Sequence, residues 1–65
     1  MKTEELIAIA GDSQRSSLER REAAEILIHR GGKDIVIKIA FTADSEAIRQ
    51  DALEALKRLR IEIPR

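Results

Sequence analysis

An internal repeat at an offset of 29 residues constrains what this 65-residue chain can fold into. The region from Asp34 to Leu59 reads as a helical stretch, a turn at residues 42–44 and an amphipathic helix, and a weaker copy precedes it. Several residues of the earlier copy meet identical residues in the later one. They are Ser16 with Ser45, Arg20 with Arg49, Ala23 with Ala52, Glu25 with Glu54, and Leu27 with Leu56. We therefore predict a single domain over residues 1–65, built from two repeat units at about residues 3–32 and 33–61.

Start and stop signals divide the first unit into a short helix and a longer one. Thr3, followed by two glutamates, predicts an N-cap and a first turn, and Gly11 predicts a stop. A second helix is predicted from the polar turn at residues 12–17 to Arg30, before a pair of glycines. Its N-cap candidates are Asp12, Ser13, Ser16 and Ser17. Its predicted apolar face consists of Leu18, Ala23, Ala24, Leu27 and Ile28.

The second unit contains one clear helix and one ambiguous segment. Asp44 or Ser45 predicts the N-cap of the last helix, and a stripe of apolar residues follows at helical spacing. The stripe consists of Ile48, Ala52, Leu53, Ala55, Leu56 and Leu59. The segment from Lys33 to Phe41 is rich in β-branched residues, which favours a strand. Its apolar residues also recur at spacings of three and four, so periodicity over so short a run does not separate helix from strand.

Two architectures fit this pattern. In the first, each unit is a helical hairpin, and two stacked αα-hairpins form a small all-α, four-helix arrangement with a short C-terminal tail. In the second, each unit is βα and residues 60–63 add a third strand, giving βαβαβ. The second would leave almost no loop after the last helix, and two helices on one face of a parallel sheet would leave the other face uncovered. We therefore favour the all-α fold.

The segment from Asp44 to Leu56 resembles the second helix of a HEAT-like repeat. It has an acidic turn, an apolar residue followed by arginine, and then alanine and leucine at helical intervals. The first unit echoes this pattern at Arg20, Ala23, Ala24 and Leu27. The sequence departs from the family pattern in three ways. The usual proline of the first helix is missing, both first helices are short, and there are only two units where about three are expected for stability. The resemblance implies a stack of αα-hairpins that presents a binding surface and carries no catalytic residues.

Composition excludes several classes of function. Twelve basic residues balance twelve acidic ones, cysteine is absent, and His29 is the only histidine. The neutral balance lacks the excess of cations that nucleic-acid binders use, and no apolar run approaches the roughly 20 residues of a membrane span. No catalytic constellation, metal-ligand spacing or phosphate-binding loop is present in the sequence. We therefore predict a soluble cytoplasmic protein without an enzymatic site, metal, cofactor or small-molecule ligand, and without a membrane partner.

The favoured functional hypothesis is a small helical module for protein–protein interaction or self-assembly, either as a homo-oligomer or on a partner protein. A domain of this size buries only about 60% of its unfolded surface, and the chain is rich in aliphatic residues. The predicted contact residues are Ile7, Ile9, Ile37 and Phe41. One alternative is a nucleic-acid-binding accessory protein, with predicted contacts at Arg15, Arg20, Arg21, Arg30 and Lys33. Another is a designed sequence without a natural function.

Overall fold

Four α-helices make up the computed structural model, which describes residues 1–63. They are α1 (Thr3–Ala10), α2 (Ser17–His29), α3 (Lys33–Thr42) and α4 (Glu46–Arg58). Helix α1 packs on α2 and α3 packs on α4, and the two hairpins stack mainly through α2 and α4. The all-α prediction is confirmed. The βαβαβ alternative is wrong, because residues 1–63 contain no strand.

The ambiguous segment is helical because packing overrides its strand propensity. Helix α3 begins after Gly32, whose carbonyl accepts hydrogen bonds from the amides of Ile35 and Val36. Val36 is completely buried, and Ile39 and Ala40 pack against the same core. These three side chains lie three and four residues apart, so only a helix brings them to one face.

The core lies between the two hairpins. It is formed by Leu6, Ala10, Ala23, Ala24, Leu27, Val36, Ala52, Ala55 and Leu56. Most of these residues are alanines, and small side chains allow neighbouring helix axes to approach closely. Leu27 and Leu56, which the 29-residue offset relates, are both completely buried.

The helix starts confirm one predicted cap in each unit and correct another. Ser16 caps α2, accepting a hydrogen bond from the Glu19 amide at 3.1 Å. Ser45 caps α4, accepting from the Ile48 amide at 3.5 Å. The prediction that Thr3 caps α1 is wrong, because Thr3 is the first residue of the helix and Lys2 holds the cap position.

The long helices end in the same way, again at the 29-residue offset. After α2, Gly31 adopts a φ of 85° and the Gly32 amide donates to the Leu27 carbonyl at 2.8 Å. After α4, Arg60 adopts a φ of 57° and the Ile61 amide donates to the Leu56 carbonyl at 2.9 Å. Both ends are the left-handed C-cap that glycine adopts most easily.

Candidate interaction surfaces

A buried ion pair joins the two hairpins. The Nε atom of Arg20 on α2 donates to Oδ2 of Asp51 on α4 at 2.7 Å, and the two side chains are only 7% and 10% exposed. The same guanidinium donates to the carbonyls of Asp12 and Arg15 and to Oγ of Ser17. Arg20 therefore stabilises both the turn between α1 and α2 and the packing of the first hairpin on the second.

Arg20 does not fit the predicted nucleic-acid contact set. Only 6% of its surface is exposed and its guanidinium is engaged with Asp51, so it does not reach a phosphate. Sequence periodicity alone does not show which arginine meets a buried carboxylate. Arg15 is exposed, but it lies within 3.7 Å of Asp12 and 3.1 Å of Glu19.

The remaining basic residues of that set lie at other points of the fold. Arg21 is half-buried and donates to the Ser17 carbonyl at 3.4 Å. Arg30 and Lys33 are exposed at the junction of α2 and α3.

Glu19 lies in the first turn of α2, next to Arg20. Its pKa lies below the ordinary glutamate value, first because the Ser16 amide donates to its carboxylate, and then because Arg15 and the Ser16 hydroxyl also donate to it. The carboxylate is therefore held in its charged form at the positive end of the helix dipole.

Arg49 is the counterpart of Arg20 in the second unit. Its Nη1 atom donates to the carbonyls of Ala43 at 2.6 Å and Asp44 at 3.2 Å, as Arg20 does in its own turn. Within residues 1–63, however, no carboxylate oxygen lies within 4.0 Å of a guanidinium nitrogen of Arg49, so Arg49 forms no ion pair there. The side chain is half-buried. Asp44 corresponds to Arg15, so the second unit repeats one turn contact of Arg20 and lacks its ion pair.

The outer face of α2 exposes a row of aliphatic and acidic side chains. Leu18 is 58% exposed and Ile26 is 43% exposed, and Glu22 lies between them at helical spacing. A shallow groove of about 420 Å³ runs along this row. It is lined by Leu18, Glu22, Glu25, Ile26, His29 and Arg58. Arg58 reaches it from α4 and pairs with Glu25 at 3.2 Å.

This groove overturns one predicted core position. Leu18 was expected on the apolar face of α2 with Ala23 and Leu27, both of which are buried. It lies instead toward the outer side of α2, where it is mostly exposed. The repeat gives a sequence signal for this groove. At the positions that correspond to Leu18 and Ile26, the second unit has the small residues Ala47 and Ala55.

The structure separates the predicted contact residues into two groups. Phe41 is 58% exposed near the end of α3. Ile7, Ile9 and Ile37 are half-buried and pack against the core.

Comparison with known proteins adds no assignment, since the chain matches no family model, no curated protein and no solved structure. Over residues 1–63, no helix has both the length and the apolar character to cross a membrane. Within the same residues, no three His, Cys, Asp or Glu side chains converge as a metal ion would require.

Proposed function

We propose that this chain is a noncatalytic protein-association module, which binds polypeptides, copies of itself included, through the outer face of α2. The observation that carries the proposal is the exposure of Leu18 and Ile26 beside a groove on that face. Large aliphatic side chains aligned on one helix face are the usual anchors for an apposed helix.

The small size of the domain supports the same function. A chain of this length buries only about 60% of its unfolded surface, and its core consists mostly of alanine. Association that covers Leu18 and Ile26 adds apolar burial worth about 25 cal/mol per Å². Small domains commonly gain stability from oligomerisation in this way.

Light scattering over a range of micromolar concentrations tests the proposal. We expect a mass above that of the monomer that rises with concentration for the wild-type chain. The double variant L18S/I26S should be monomeric, because serine removes the aliphatic anchors from exposed helix positions. A wild-type chain that stays monomeric throughout this range overturns the proposal.

Phe41→Ser is the matched control, because it removes an equally exposed apolar side chain from a different helix. We expect F41S to associate like the wild type. If F41S dissociates while L18S/I26S does not, the surface near the end of α3 is the binding site instead.

A further inference from the structure

Two ion pairs join α2 and α4 inside each chain. Arg20 on α2 meets Asp51 on α4, and Glu25 on α2 meets Arg58 on α4. The α2–α4 contact is also the main contact between the two repeat units. It therefore shows how one unit of this sequence recognises the next.

The 29-residue offset places counterparts of these four side chains on the two outer faces of the molecule. Arg20 and Glu25 correspond to Arg49 and Glu54 on α4, while Asp51 and Arg58 correspond to Glu22 and His29 on α2. Glu22, His29 and Glu54 are exposed, and Arg49 has no ion-pair partner among residues 1–63. The α4 face thus offers a cation and a carboxylate, and the α2 face offers a carboxylate and an imidazole in the matching positions.

Apolar residues at the corresponding positions are larger on the outer faces than inside. Ala24 and Ala55 are each only 1% exposed in the core. Their counterparts are Leu53, half-buried on α4, and Ile26, which lies in the groove on α2. An intermolecular contact needs more apolar area than an intramolecular one, because association costs translational and rotational freedom.

We infer that the partner for the α2 groove is a second copy of this chain, stacked head to tail with its α4 face on α2. Arg49 of one copy then pairs with Glu22 of the next, and Glu54 lies opposite His29, repeating the contact within each chain. This arrangement rests on the proposed association function and specifies its geometry. It is a heterologous contact, so it leaves one free face of each kind at the two ends of any assembly and permits further growth.

Charge reversal on each face separates this arrangement from symmetric pairing. R49E breaks the α4 face and E22R breaks the α2 face, and each places like charges opposite one another. We expect each variant alone to associate at least about tenfold more weakly than the wild type. K38E, at an exposed site on α3, is the matched charge-reversal control and should associate normally.

Mixing the two variants gives the decisive result. R49E retains an intact α2 face and E22R an intact α4 face, so an equimolar mixture should form a one-to-one complex and nothing larger. Sedimentation velocity with one variant fluorescently labelled measures this directly. Absence of the complex from the mixture overturns head-to-tail stacking.

R49E also removes the hydrogen bonds from Arg49 to the carbonyls of its turn, and this loss destabilises the hairpin. A second variant of the α4 face therefore keeps these hydrogen bonds. L53S alters the same α4 face without touching the turn, and it should also form a one-to-one complex with E22R. If L18S/I26S dissociates the wild-type assembly but R49E and L53S leave it unchanged, the association function stands and the head-to-tail geometry falls. A monomeric wild-type chain instead overturns the association function.

Discussion

All three guanidinium nitrogens of Arg20 donate hydrogen bonds, although the side chain is almost completely buried. The sequence shows that Arg20 and Arg49 are related by the repeat, but it does not show that one is ion-paired and the other is not. The partner carboxylate of Arg20, Asp51, is 31 residues away and belongs to a helix with two other acidic residues, Glu46 and Glu54. Such pairing depends on the tertiary stacking of α2 on α4, which local periodicity does not encode.

Asp51→Ala should largely unfold the protein. It leaves the buried Arg20 charge without its carboxylate, and breaking a buried pair in this way costs about 3–5 kcal/mol. That loss is comparable with the whole stability of a small domain, at about 0.05–0.15 kcal/mol per residue. The midpoint of urea unfolding, followed by far-UV circular dichroism, measures the loss.

Glu62→Ala is the control for this prediction, since Glu62 is an exposed carboxylate that lies outside the proposed contact faces of α2 and α4. We expect it to change the free energy of unfolding by less than about 0.5 kcal/mol. Equal effects of D51A and E62A would contradict a structural role for the buried pair.

At the scale of helices, the 29-residue repeat predicts where the two long helices begin and end. It predicts only part of the backbone conformation at their C-terminal ends. Shifting α2, Ser17–His29, by the repeat offset gives the bounds of α4, Glu46–Arg58. Both long helices also end in a left-handed residue, which is Gly31 in one unit and Arg60 in the other. Arginine at this position gives no sequence signal for such a cap, because the conformation disfavours residues with a Cβ atom.

Replacing Arg60 with glycine should stabilise the protein by about 1 kcal/mol. A left-handed non-glycine residue costs roughly 1–3 kcal/mol, and the greater unfolded-state entropy of glycine offsets part of the gain. Thermal unfolding of R60G and of R60A separates the two causes, because alanine removes the charged side chain but keeps the strained φ. A gain in R60A equal to that in R60G would show that the charge, not the conformation, is responsible.

At the scale of the whole molecule, the sequence is sufficient to predict the helical architecture. It is not sufficient to predict which apolar side chains are exposed. The repeat and the weak case for a parallel sheet together predicted two helical hairpins, and the buried positions of α4 follow its predicted stripe at Ile48, Ala52 and Leu56. The groove on α2 was not predicted. Leu18 and Ile26 have the spacing of core residues, and their exposure depends on which sides of α2 other helices cover. A single helical pattern carries no information about how many neighbours its helix has.

Helix α2 contacts each of the other three helices, whereas α1 packs chiefly on α2 alone. This asymmetry has a consequence for hydrogen exchange. The amides of α2 lose their protection only when the whole fold opens, since α2 still packs on α3 and α4 after α1 has detached. Helix α1, only eight residues long, opens by itself at a smaller free-energy cost because short helices are unstable once detached. Solvent deuterium therefore enters α1 well before it enters the central helix.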